Sequence, residues 1–150
     1  MKTITLFLLF ATALHAWGSN CTGLWVTVDD ETKEHKSVVC VYNHANKYYG
    51  RIVHLFKNKE AKAKLPGKPG ILGLDIIWDM EKDGENLNGG KILDPKKGKI
   101  YACEMWRKGE NLIVRGKIAF LGRNQTWLPY KGDVTFPDAK QMIPRVPATK

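Results

Sequence analysis

GKILDPKKGKIYACEMWRKGENLIVRGKIAFLGRNQTW, Gly90 to Trp127, reads as four short apolar runs divided by three turns. Residues 91–93, 99–107, 112–120 and 123–128 are rich in Ile, Val, Tyr and Trp, which fit a pleated, half-buried surface. Between them, Asp94-Pro95-Lys96-Lys97-Gly98, Lys108-Gly109-Glu110-Asn111 and Leu121-Gly122 carry turn residues. Runs this short, joined this tightly, pair with their neighbours as antiparallel hairpins. Arg115, Arg123 and Trp127 crowd the end of the series, where a sheet would close on itself.

The same rhythm extends upstream. Residues 25–28 form a short β-prone run ended by Asp29-Asp30-Glu31. KSVVCVY (36–42) and YYGRIVHLF (48–56) flank a turn at 43–46 and form a hairpin. Residues 57–69 are polar with Pro and Gly, and ILGLDIIWDM (71–80) is apolar with Gly73 marking a bulge or bend. Asp83-Gly84 and the stretch from Asn86 to Gly90 are turn chemistry. The total is eight to ten strands with almost no helical periodicity. The fold class is all-β; antiparallel meanders of this size settle as sandwiches or closed barrels, and a single antiparallel up-and-down β-barrel is the architecture expected, since closure removes unpaired edges.

With 150 residues the chain has one domain's length. Met1-Lys2 and the apolar run from Ile4 to Leu14 have the anatomy of a secretory signal peptide, too short for a membrane span. The organisation expected is therefore a leader over 1–16, a barrel over 17–135 and a Pro-containing tail over 136–150 that lies over the surface or is disordered. The protein is expected to be exported, periplasmic or secreted, with no transmembrane span. In an oxidising compartment, Cys21, Cys40 and Cys103 permit one disulfide and a leftover thiol, the pair being unknown. Three buried free thiols are the equal alternative.

Lys and Arg number 24 against 15 Asp and Glu, a net charge of +9 that favours anionic partners. Lys57, Lys59, Lys62, Lys64 and Lys68 concentrate part of the excess. A lysine run is more often a solvated face than a site. Nucleic acid is not expected as a partner of an exported protein.

Gly23-Leu24-Trp25, opening the first strand, resembles the Gly-x-Trp signature of lipocalins and the wider calycin group. The resemblance implies that Trp25 plugs the closed end of the barrel and that a late Arg stacks on it, Arg123 being preferred to Arg115. A longer pattern covers most of the chain. It runs through Tyr49-Gly50-Arg51-Ile52-Val53, Gly90-Lys91-Ile92, Asp94-Pro95, Tyr101, Val114-Arg115-Gly116 and Gly122-Arg123-x-Gln125-Thr126-Trp127. This pattern resembles a bacterial family of small exported proteins, catalogued as a domain of unknown function and similar in fold to calycins. It implies a barrel and export, and it supplies no reaction. Leu128 departs from it, standing where that family often has a basic residue.

No catalytic constellation is legible. His35, His44 and His54 lack HxH or HExxH spacing, and neither a Gly-x-Ser-x-Gly elbow nor a P-loop occurs. No catalytic residue, metal ligand or cofactor is assigned, and an enzyme using a barrel pocket is the weakest reading. The leading one is an exported binding protein holding a small amphiphilic or anionic ligand in a barrel cavity. Tyr42, Tyr49, Arg51, Trp78, Tyr101 and Arg115 are its candidate contacts, each weighed against an ordinary core or surface role. Trp25, Arg123 and Trp127 are assigned to barrel closure. The alternative is a basic surface module that binds polyanions or a protein. Asn20-Cys21-Thr22 and Asn124-Gln125-Thr126 match glycosylation sequons, which carry no meaning in a bacterium.

Overall fold

The computed structural model describes residues 20–148, so the leader expected over 1–16 lies outside the described residues. Eight antiparallel strands follow one another around a closed barrel. They are β1 (Gly23–Val28), β2 (His35–His44), β3 (Lys47–Leu55), β4 (Asp75–Asp83), β5 (Asn86–Asp94), β6 (Lys99–Lys108), β7 (Asn111–Ile118) and β8 (Leu121–Pro129). β8 returns to β1 through Trp25↔Pro129 and Val26↔Leu128, which closes the sheet. No helix among the described residues is long and apolar enough to cross a membrane.

Period-two alternation separates an inner from an outer face. On β6 to β8, Cys103, Met105, Leu112, Val114 and Trp127 are buried, while Glu104, Arg115 and Thr126 between them are not. The register carries the buried face around the barrel. Leu112 faces Trp127, Met105 faces Val114 and Leu87, and Trp25 faces Val39, as Val41 faces Gly50. Trp25, Val39, Val41, Ile77 and Met80 therefore point to the axis together with Trp127.

Two strands begin or end where local turn chemistry misleads. The expected turn from Asn86 to Gly90 belongs to β5; the chain reverses earlier, at Gly84 (φ 60°) and Glu85. Gly89 (φ 72°) sits instead where the β5–β6 register shifts. Gly90 is required by packing: a Cβ there would lie 2.5 Å from the Trp78 carbonyl oxygen and collide with the Met80 side chain. Gly90→Ala is expected to cost about 1–3 kcal/mol, as overpacking of a filled core does, measurable by urea denaturation. Leu121-Gly122 is likewise in a strand, and the last hairpin turns at Ala119 and Phe120. Gly122 leaves room for the Arg115 side chain, which a Cβ would strike.

Six consecutive residues of β2, Ser37 to Tyr42, are buried on both faces. The outer side is covered by the tail. Tyr130 donates its N–H to the Leu24 carbonyl at 3.0 Å, and further along Met142 and Pro147 are buried. Interrupted by a 3-10 turn at Ala139–Gln141, this segment lies across the outer wall as a strap.

Candidate functional site

At one end of the barrel Trp25 is buried and donates its Nε1–H to the Cys21 carbonyl at 2.9 Å. The Arg107 guanidinium lies 4.9 Å from the Trp25 ring centroid. Its Nη1 donates to Asn20 O at 3.2 Å, and Nη2 to Gly109 O at 3.2 Å and Glu110 O at 3.3 Å. The indole offers a stacking surface while the guanidinium fork ties down carbonyls at the strand ends. This is the chemistry expected of Arg123, performed by a different residue. Alternation marks Arg107: it continues the Cys103–Met105 face of β6 into the end turn.

Arg123 acts at the opposite end. Its Nη2 meets Asp30 Oδ2 at 2.7 Å, joining β8 to the β1–β2 turn across the seam. Asp29 stiffens that turn by accepting the N–H groups of Thr32 (3.0 Å) and Glu31 (3.1 Å), which hold its carboxyl at about 2. Trp127 is buried on the inner face, one step from the closing pair, with Nε1 donating to Gln125 Oε1 at 3.2 Å.

The axis is filled over the half of the barrel nearer Trp25, while the inner-face residues Ile92, Tyr101 and Gly116 toward the other end are only half-buried. A space that admits water leaves exposed surface on the side chains around it. Val39, Val41, Ile77, Met80, Met105 and Leu112 have none. An eight-stranded barrel is narrow enough for side chains to meet across it, and two methionines complete the packing here.

The six candidate ligand contacts scatter accordingly. Tyr101 shares the inner face, half-buried beside Ile92 and Gly116. Tyr42, Tyr49, Arg51 and Trp78 lie on the outer face, since their strand neighbours Val41, Gly50 and Ile77 take the inner one. Arg115 is also outward, laid across Gly122.

Three of these outward residues build a polar knot under the strap. Arg51 (6% exposed) pairs with Asp75 (0% exposed), Nη2 to Oδ2 at 3.0 Å. The Tyr42 hydroxyl donates to the same carboxylate at 2.9 and 3.0 Å and accepts from Arg51 Nη2 at 3.2 Å. Tyr49 stacks on Tyr42, centroids 5.6 Å apart. The strap completes the knot: Arg145 N–H donates to Asp75 Oδ2 at 2.5 Å, Asp75 N–H donates to Arg145 O at 3.1 Å, and Arg51 Nη2 donates to Ile143 O. Burial first, and the Asp75 carboxylate second, push the Tyr42 phenol well above its usual range, so it stays a donor. Sequence reasoning missed Asp75, although a lone carboxylate inside ILGLDIIW is the mark of a buried charge with a partner.

Beside the knot a groove of about 540 Å³ runs between β3 and the strap. Arg51, Ile52 and Val53 form one wall, Leu72 and Gly73 another, and Asp133, Val134, Thr135 and Pro137 the third.

Residues 23–128 match the model of a family described as "Uncharacterized protein conserved in bacteria (DUF2147)". The chain belongs to that family. A solved structure described as "Protein HP1028 from the human pathogen Helicobacter pylori belongs to the lipocalin family" is similar in fold. Its TM-score is 0.63 and its identity 19%, over 76% of this chain and 85% of that one. No curated protein matches the chain. The fold of this DUF2147 member is therefore lipocalin-like.

In this DUF2147 barrel Cys21, Cys40 and Cys103 are all buried, and Cys40 and Cys103 are free thiols. Cys40 is on the outer face and Cys103 on the inner, so the sheet separates them. Burial raises the Cys40 thiol to about 12, the nearby Arg51 opposing the rise, and burial lifts Cys103 as well. Thiols so placed stay protonated and unreactive at neutral pH. Among the histidines, His54 packs edge-on against Phe56 and His44 against Tyr49, in separate contacts.

Proposed function

We propose that this protein is exported and acts by binding, holding a small amphiphilic ligand in the groove between β3 and the strap. The groove carries the reading. Its volume of about 540 Å³ lies within the range of small-molecule sites, and its walls carry apolar side chains (Val53, Leu72, Val134, Pro137) with a few polar groups (Arg51, Thr135, Asp133). The lipocalin-like fold supports binding over catalysis, and the leader-like residues 1–16 support export. The half of the axis nearer Trp25 is not the site, because Met80 and Met105 fill it.

Protein purified natively, then denatured and analysed by mass spectrometry, is expected to release one small molecule in stoichiometric amount. Leu72→Trp, which fills the groove from an exposed position, is expected to lower that yield about tenfold with the melting temperature unchanged. Wild-type protein that releases nothing, or a Leu72→Trp protein that keeps its full load, would overturn the proposal.

A further inference from the structure

In an up-and-down barrel, alternate connections share an end. The β1–β2, β3–β4, β5–β6 and β7–β8 connections of this chain therefore lie together, opposite Trp25. We infer that this end docks on the surface of an anionic phospholipid bilayer, with the β7–β8 tip entering the headgroup layer and lysines contacting the lipid phosphates. The inference is independent of the groove.

The first support is where apolar side chains are left in water. Of the eight large hydrophobics exposed among the described residues, four are at this end, Phe56, Ile118, Phe120 and Leu121, while Leu72 belongs to the groove. Phe120 is 88% exposed, Leu121 69% and Ile118 57%. Clustered exposure of this kind marks an interaction surface, whereas single exposed apolar residues do not.

The second support is the chemistry of the tip. Two-residue hairpin turns select Asn, Asp and Gly, because those residues accept positive φ and bond to water. Here the turn is Ile118-Ala119-Phe120-Leu121, with Ala119 at φ 53° and no polar side chain. Aqueous folding gains nothing from that choice, and a local rule broken without structural gain points to function.

The third support is charge. Lys59, Lys62, Lys64 and Lys68 on the β3–β4 connection, with Lys97 and Lys99 beside the β5–β6 turn, are exposed and make no ion pair among the described residues. Glu31 of the β1–β2 turn and Glu60 among the lysines, both exposed and in no ion pair among the described residues, offset these six lysines only in part. Asp29, Asp30 and Glu34 are engaged with Lys36, Lys57, Lys96 and Arg123. The opposite end offers the contrary surface: its turns at 45–46, 84–85 and 109–110 consist of Ala45, Asn46, Gly84, Glu85, Gly109 and Glu110. Apolar prongs within a field of free lysines match an anionic bilayer, where burial and charge attraction add.

Vesicle co-sedimentation tests the inference, using the full chain and variants that all keep residues 1–19, so that any contribution of that segment is common to them. Wild-type protein is expected to sediment with phosphatidylcholine vesicles containing phosphatidylglycerol more strongly than with phosphatidylcholine alone. Phe120→Ser/Leu121→Ser and, separately, Lys59→Ser/Lys62→Ser/Lys64→Ser/Lys68→Ser should each weaken this about tenfold. Thermal melts of both variants should match wild type, since all six side chains are exposed. Equal sedimentation with both vesicle types overturns the inference. So does an apolar-tip variant that binds as tightly as wild type, because charge alone would then be acting and a soluble polyanion such as heparin would serve equally well.

Discussion

Asp75→Ala is expected to destabilise the protein by about 3–5 kcal/mol, the cost of leaving one member of a buried pair without its partner. The Arg51 guanidinium would remain under the strap with its counter-charge gone, 6% exposed and unable to regain water without opening the wall. The loss extends beyond the pair. Arg145 N–H and the Tyr42 hydroxyl both donate to the same carboxylate, so two further donors lose their acceptor. The strap should loosen with the pair, and limited proteolysis should cut within 130–148 before the barrel itself is touched. Arg51→Met/Asp75→Leu is expected to recover much of the loss, since replacing both charges removes the uncompensated one. Urea denaturation of the single and double variants measures both effects. If the double variant is no better than Asp75→Ala, the cost lies in the strap's hydrogen bonds and not in the stranded charge.

The barrel was legible because its evidence is local. Period-two alternation in 99–107 and 112–120 and the turn at Gly109 specify the β6–β7 hairpin without help from the rest of the chain. The boundaries that shifted are those decided by distant atoms. Gly89 and Gly90 look like a turn, but the Met80 side chain and the Trp78 carbonyl make Gly90 a packing glycine. Leu121-Gly122 looks like a turn, but the Arg115 side chain needs that space. The inner and outer faces of β2 were indistinguishable in KSVVCVY because both are buried, one by the barrel and one by a strap some ninety residues later in the chain. For the same reason the strand pattern could not say which way Tyr42, Tyr49 and Arg51 face. Their aromatic and cationic chemistry suits a site, and it serves to hold the strap.

The second large effect is expected at the closed end. Trp25→Ala should cost about 3–5 kcal/mol, as large aromatic truncations in a packed interior do. Trp25 is fully enclosed, its N–H is spent on Cys21 O, and its ring supports Arg107. Arg107→Ala should cost less, about 1–2 kcal/mol, because this arginine is exposed and contributes a cation–π contact and hydrogen bonds to carbonyls that water can replace. Arg123→Lys should cost about 0–1 kcal/mol, as changes to exposed ion pairs do. The order of effects is the discriminating feature. A late arginine stacked on Trp25 would make position 123 sensitive to lysine, since an ammonium cannot stack and fork together. In this barrel the stacking arginine is Arg107, so thermal melts should rank Trp25→Ala first, Arg107→Ala second and Arg123→Lys last. An Arg123→Lys midpoint as low as that of Arg107→Ala would mean that the seam ion pair with Asp30, and not the Trp25 plug, carries the closure of the sheet.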